Sequence, residues 1–155
     1  VTLSKETLAR IDAAIAEYPY PQSALLAVLH LIQQEHGYLT EEDQAWVGDK
    51  FSLPVAYVAG VVTFYTMFRT KPPGRYHLQV CKTLSCRLRG CEEILGHLEK
   101  KHGIVEGEVT PDGRFSLVRV ECLGSCGTAP MMQINDDFHE NLTRERVDAL
   151  LNGMK

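Results

Sequence analysis

Apolar residues recur at helical spacing from the start of the chain. Leu8, Ile11 and Ile15 follow Ser4, an N-cap residue, and predict a short amphipathic helix that ends near Tyr18-Pro19-Tyr20-Pro21. From Gln22 to His36 the set Leu25, Leu26, Val28, Leu29, Leu31 and Ile32 covers more than one stripe, so a second helix is expected to pack on two sides before Gly37 stops it. Thr40 followed by Glu41, Glu42 and Asp43 places a cap and acidic side chains at the positive end of a third helix. Pro54 opens a fourth, whose apolar residues run from Val55 to Phe68. With no strand signal between them, these helices predict a helical N-terminal domain over residues 1–70.

The period changes at Lys71-Pro72-Pro73-Gly74, which cannot continue a helix. Tyr76 to Val80 then alternates as a strand does, and Arg87 to Lys101 reads as a helix with Leu88, Cys91, Leu95 and Leu98 on one stripe and Gly103 as its stop. Ile104–Val109 and Phe115–Val120 flank Thr110-Pro111-Asp112-Gly113 and predict a hairpin. Met131–Ile134 is a further strand. Thr143 caps a last helix, with Leu142 and Val147 as a hydrophobic staple and Gly153 at its end. The expected fold class is α+β: a helical bundle, then over residues 71–155 a small mixed sheet with two helices in the order β-α-β-β-β-α.

Composition narrows the function classes. The 155 residues are 45% hydrophobic and 23% charged, with a net charge of −4, ordinary for a folded globular chain and unsuited to wrapping nucleic acid. The uncharged stretch Phe51–Phe68 contains Ser52, Pro54, Gly60, Thr63 and Thr66, and after Pro54 it is too short and too polar to span a bilayer. The first twenty residues mix acids and bases without a signal-peptide pattern, so a cytoplasmic location without direct membrane insertion is expected. Five cysteines, an odd number, suit a reducing compartment in which thiols bind metal or pack.

Four of those cysteines form two local pairs, Cys81-x4-Cys86 and Cys122-x3-Cys126, separated by 35 residues. Each pair follows a strand, where backbone can wrap a cofactor. Four thiolates match the ligand count of a [2Fe-2S] or [4Fe-4S] cluster or of structural zinc, and neither gap is the C-x2-C common to zinc knuckles and thioredoxin-type redox sites. Iron-sulfur ligation is therefore the leading reading, with zinc as the alternative. Cys91 shares the apolar stripe of its helix and reads as a packing thiol. Cys86, at the helix start, is expected to have its thiolate near free N–H groups, and Gly124 and Gly127 allow backbone to approach on the other side. Six bases and no acid lie from Arg69 to Arg89 (Arg69, Lys71, Arg75, Lys82, Arg87 and Arg89), either a solvated face or cations that favour reduction of an anionic cluster. The histidines share no metal spacing. Neither G-x-G-x-x-G nor a Walker loop is present.

The segments Val80-Cys81-Lys82-Thr83-Leu84-Ser85-Cys86-Arg87-Leu88-Arg89-Gly90 and Glu121-Cys122-Leu123-Gly124-Ser125-Cys126-Gly127-Thr128-Ala129-Pro130-Met131-Met132-Gln133-Ile134-Asn135 resemble the small [2Fe-2S] subunit of the NADH-dehydrogenase module of respiratory complex I. Upstream, Ala24–Leu31 and Val62–Phe68 resemble the helical domain of that family, so the likeness extends from about Pro21 to Leu151. The resemblance implies a thioredoxin-like fold for the C-terminal half and a [2Fe-2S] cluster held by Cys81, Cys86, Cys122 and Cys126. It implies a flavoprotein partner carrying FMN and the NADH site, further peripheral-arm subunits of complex I, and single-electron exchange with that flavin as a side acceptor. By the same resemblance the chain is part of an enzyme without a complete active site of its own, peripheral on the cytoplasmic face of the inner membrane. Cys91 departs from the family pattern. Alternatives are the equivalent subunit of an NAD-linked hydrogenase or formate dehydrogenase, a free thioredoxin-like ferredoxin, or a structural zinc protein.

Overall fold

The computed structural model describes residues 1–154. The chain divides between Pro72 and Pro73 into two compact units, each with its own hydrophobic core.

The first unit contains helices α1 (Lys5–Ala16), α2 (Leu25–His36), α3 (Glu41–Phe51) and α4 (Val55–Phe64). Ser4 caps α1 by accepting from the Thr7 N–H, and its own N–H and hydroxyl donate to Glu35 on α2 at 2.7 and 3.0 Å. α1 buries Thr7 and Ile11 rather than Leu8, which stays partly exposed. The segment expected to begin α2 is instead a 3-10 turn, Pro21–Ala24, because proline fixes the first position without supplying an N–H. α2 buries Leu25, Val28, Leu29 and Ile32 with Leu26 and Leu31 half-buried, and Gly37 stops it at φ +83°. α4 ends four residues earlier than its apolar run, where Tyr65 turns extended. Beyond it Gln33 donates to the Met67 carbonyl at 2.9 Å and accepts from the Arg69 N–H at 2.7 Å, so a buried amide holds the chain where the helix has stopped. No helix among the described residues is long and apolar enough to cross a membrane.

Asp43 is the most deeply buried carboxylate of this unit, 1% exposed. One oxygen accepts from the Thr40 N–H and hydroxyl, both at 2.8 Å, completing a capping box, while the other lies 3.0 Å from His36 Nδ1. Asp43→Ala leaves those part-buried groups without their partner and is expected to cost about 1–3 kcal/mol. Urea unfolding followed through Trp46, the single tryptophan and a residue of α3, measures it.

In the second unit β1 (Tyr76–Cys81), α5 (Leu84–Leu88), α6 (Cys91–His102), β2 (Phe115–Val120), β3 (Met132–Ile134), β4 (Asp137–His139) and α7 (Arg144–Gly153) follow in order. They build a four-stranded mixed sheet, β2-β1-β3-β4, with β1 and β2 parallel from Tyr76–Phe115 to Cys81–Val120 and the other neighbours antiparallel. Two local expectations need correction. The helix expected over Arg87–Lys101 is two helices, because Gly90 adopts φ +97° and breaks the ladder; Leu88 then leaves the stripe and is exposed, whereas Cys91, Leu95 and Leu98 are buried. The 110–113 turn forms, with the Gly113 N–H donating to the Thr110 carbonyl at 2.8 Å, but residues 104–109 pair with β2 only through two isolated bridges, while β1 pairs with the other edge of β2 in parallel. β4 is a further strand, only three residues long, too short to register as a pattern in the sequence. Leu78, Val80, Leu98, Ile104, Leu117, Met131, Met132 and Val147 form the core beneath the sheet.

Candidate metal centre

Two adjacent parallel strands end at the same edge of a sheet, and this places the cysteine pairs together. Cys81 is the last residue of β1, opposite Val120 at the end of β2, and Cys122 follows two residues later. The Lys82 N–H donates to the Val120 carbonyl at 3.0 Å, which carries the pairing one step past the strands. On the other flank the Cys81 N–H donates to the Met131 carbonyl at 3.3 Å. Each loop begins from a fixed strand end.

Cys81 and Cys86 are buried. Cys86 lies in the middle of α5, a single turn that starts at Leu84. The expected set of free helix N–H groups is therefore not what faces its sulfur; the backbone N–H of Met131, from the approach to β3, favours its thiolate instead. Burial pushes the Cys86 thiol up to about 11, and the hydrogen bond it makes to Cys81 acts in the same direction. Burial also opposes ionisation of Cys81, but the Thr83 hydroxyl at 3.2 Å and the N–H groups of Thr83 and Leu123 outweigh it and hold that thiol below its ordinary value. Thr83 thereby serves the sulfur rather than capping α5. The Leu123 N–H belongs to the second cysteine loop, so the two loops meet at Cys81. Cys91 is fully buried at the first turn of α6, its thiol raised by burial and then by Glu92.

Cys122 and Cys126 are exposed, with their sulfurs 3.9 Å apart. Gly124 donates its N–H to Cys122 Sγ at 3.4 Å while holding φ +82°, a conformation that favours glycine. Cys126 begins a 3-10 turn, Cys126–Thr128, braced from outside by Glu140, which accepts from the hydroxyls of Ser125 and Thr128. Those two bonds hold the Glu140 carboxyl below the usual range. Arg89 Nε donates to the Ala129 carbonyl at 2.6 Å and joins the corner between α5 and α6 to the same loop. Thr83, Arg89 and Glu140 are not identifiable from the sequence pattern; only the nearness of Thr83 to Cys81 is a signal. The unit's bases diverge: Lys82 pairs with Glu121 at 3.1 Å and Arg75 lies over the Tyr76 ring, while Arg87 is exposed beside Cys86.

A single tetrahedral zinc with bonds of about 2.3 Å holds its four sulfurs about 3.8 Å from one another. Among the described residues no three cysteine sulfurs lie within 4.8 Å of each other. Four thiols in two local pairs, one pair with its sulfurs 3.9 Å apart, fit the ligand count of a [2Fe-2S] cluster.

Residues 11–155 match the thioredoxin-like [2Fe-2S] ferredoxin family. The chain belongs to that family. This ferredoxin is an electron-transfer protein and its cofactor is a [2Fe-2S] cluster. It is 47% identical over 145 residues to one of the NADH-quinone oxidoreductase subunits of Rhizobium meliloti, a match that covers 94% of this chain and 86% of the relative. It is 43% identical over 148 residues to NADH-quinone oxidoreductase subunit 2 of Thermus thermophilus, covering 94% and 82%. With the mitochondrial NADH dehydrogenase [ubiquinone] flavoprotein 2 of Dictyostelium discoideum it shares 41% identity over 162 residues, covering 98% and 63%. Among solved structures, an NAD+-reducing [NiFe]-hydrogenase in its H2-reduced state superposes with a TM-score of 0.72 at 30% identity, covering 84% of this ferredoxin and 22% of the hydrogenase chain.

Proposed function

We propose that this ferredoxin is the small electron-transfer subunit of an NADH:quinone oxidoreductase and that Cys81, Cys86, Cys122 and Cys126 hold its cluster. Residues 1–70 form its helical domain and residues 71–155 the cluster-bearing one. The partner is a flavoprotein subunit with FMN and the NADH site, the remaining neighbours are peripheral-arm subunits, and the assembly lies on the cytoplasmic face of the inner membrane. Neither NADH nor quinone is turned over by this chain alone. The observation that carries the reading is the convergence of both cysteine pairs on the C-terminal ends of β1 and β2, in a chain that resembles such subunits along 94% of its length.

A bound [2Fe-2S] cluster supplies one reversibly held electron. The protein's own part is to hold four sulfurs as thiolates and to set how much negative charge they tolerate. Thr83 and the N–H groups of Leu123, Met131 and Gly124 donate to those sulfurs, which favours the anionic form. Burial of Cys81 and Cys86 opposes added charge. The exposed pair, Cys122 and Cys126, marks the face through which an electron passes.

Beside Cys86, Leu84 and Leu88 are 73% and 78% exposed, four positions apart on one turn and flanked by Arg87 and Arg89. An apolar pair left in water beside the cluster suits a docking surface. Changing both leucines to aspartate is expected to weaken the flavoprotein complex about tenfold or more while iron content stays constant, measured by titrating labelled ferredoxin with the flavoprotein subunit.

The test of the function is reduction by NADH. In the complex of the two subunits NADH bleaches the cluster absorbance, whereas the ferredoxin alone does not respond. A stable complex whose cluster NADH leaves oxidised overturns the proposal. The hydrogenase likeness supports a second reading, the same role in an NAD+-reducing hydrogenase, and the subunits that co-purify decide between the two.

A further inference from the structure

Remote in sequence from the four cysteines, α6 and α7 bring His97, His102 and Asp148 to one point. Nε2 of each histidine lies 2.7 Å from the same oxygen, Asp148 Oδ1, and the three donor atoms are all within 4.8 Å of one another. All three side chains are mostly buried yet reach solvent, at 13%, 19% and 22% exposure. Lys101 occupies the other carboxylate oxygen at 2.6 Å. The five-residue separation of the histidines is not the i, i+4 spacing of two ligands on one helix face, which is why the sequence shows no metal pattern. They meet because His102 is the last residue of α6, immediately before Gly103 at φ +64°, where the helix surface ends.

From this convergence we infer that His97, His102 and Asp148 form a binding site for one first-row divalent cation, distinct from the cluster, with zinc as the probe. Two imidazole nitrogens and one carboxylate oxygen are a donor set that such ions accept, with solvent completing the shell. Bonds of about 2.0–2.1 Å in tetrahedral geometry need donor atoms about 3.3 Å apart, so each Nε2 would draw back roughly half an ångström from its present 2.7 Å to Oδ1. The bond from Lys101 to Oδ2 fixes the carboxylate and leaves Oδ1 turned toward the rings, the orienting role of a group outside the coordination shell. The C-terminal end of α6 adds a field that favours a cation. In the ion-free form each ring faces an acceptor and keeps its proton on Nε2. On binding the ion replaces those protons, and each neutral ring holds one on Nδ1 instead, so no oxidant or reductant takes part. The ion would pin α7, which buries only Val147 and Leu151, to α6.

The experiment is calorimetric titration of zinc into untagged, oxidised ferredoxin with its cluster intact, with iron measured before and after. The expected result is one zinc per chain with no loss of iron, and binding weakened about tenfold to a hundredfold by His97→Ala, by His102→Ala and by Asp148→Asn. His97→Gln separates ligation from packing: its amide can still donate to Asp148, so the fold and iron content persist while zinc binding weakens as it does in His97→Ala. Absence of zinc uptake, uptake equal in the parent and the variants, or uptake matched by iron release onto the cysteines overturns the site.

Discussion

Replacing Cys86 with alanine strips iron from the chain, and replacing Cys91 with alanine does not. The two thiols are five residues apart and both are buried, yet their surroundings differ. Cys86 exchanges a hydrogen bond with Cys81, and the Met131 N–H favours its thiolate, so a metal that removes its proton finds a donor ready to support the charge. Cys91 sits in the first turn of α6 with Ile94, Leu95 and Leu98 in the core of the sheet, and both burial and Glu92 keep its thiol protonated. Cys86→Ala is therefore expected to lose nearly all of the roughly two irons per chain, together with the visible absorbance. It also loses the ligation free energy that couples metal to folding, so the second unit melts at lower temperature. Cys91→Ala removes one buried heavy atom, at a cost of about 1 kcal/mol, and keeps both irons. Iron and sulfide counts on the anaerobically purified variants check this; iron retained in Cys86→Ala but lost from Cys91→Ala would reverse the ligand assignment.

Leu98→Ala is expected to damage the packing of the second unit severely. Leu98 is fully buried on α6, within the cluster that includes Leu78, Ile104 and Met131, and its carbonyl accepts from the Ile104 N–H at 3.1 Å where the helix ends. Truncation removes the apolar contact and leaves a cavity under the sheet, about 2–5 kcal/mol together. Leu88→Ala, at a residue 78% exposed, should change stability by less than about 0.5 kcal/mol. Urea unfolding followed by far-ultraviolet circular dichroism separates the two. Equal effects would mean that the helix is continuous through Gly90, as the bare periodicity suggests, and that both leucines face the core.

That contrast shows where a single sequence is sufficient. Helix caps depend on a few neighbouring residues, and Ser4, Thr40 and Thr143 each accept the N–H bond that their positions foretell. Leu142 and Val147 are buried as a staple for the same local reason. Periodicity cannot register a break when the apolar spacing continues across it, so only the positive φ of Gly90 reveals the end of α5. The 110–113 turn is legible, but the parallel pairing of β1 with β2 joins segments distant in the chain, which no local pattern encodes. At the metal centre the cysteine pairs are plain from spacing, whereas the groups around them come from elsewhere: the N–H groups of Leu123, across the two loops, and of Met131, from the approach to β3, favour the Cys81 and Cys86 thiolates, and Glu140 from beyond β4 braces the Cys126 loop. His97, His102 and Asp148 are hidden in the sequence because their meeting depends on where α6 ends and how α7 returns.

One measurement bears most directly on the cluster and its role: iron and acid-labile sulfide content of the anaerobically purified chain, with low-temperature electron paramagnetic resonance before and after dithionite. The expected result is a red-brown protein with about two irons and two sulfides, silent when oxidised and giving a rhombic signal of about one spin on reduction. A colourless chain that holds one zinc on its four cysteines, with no signal after dithionite, would contradict it.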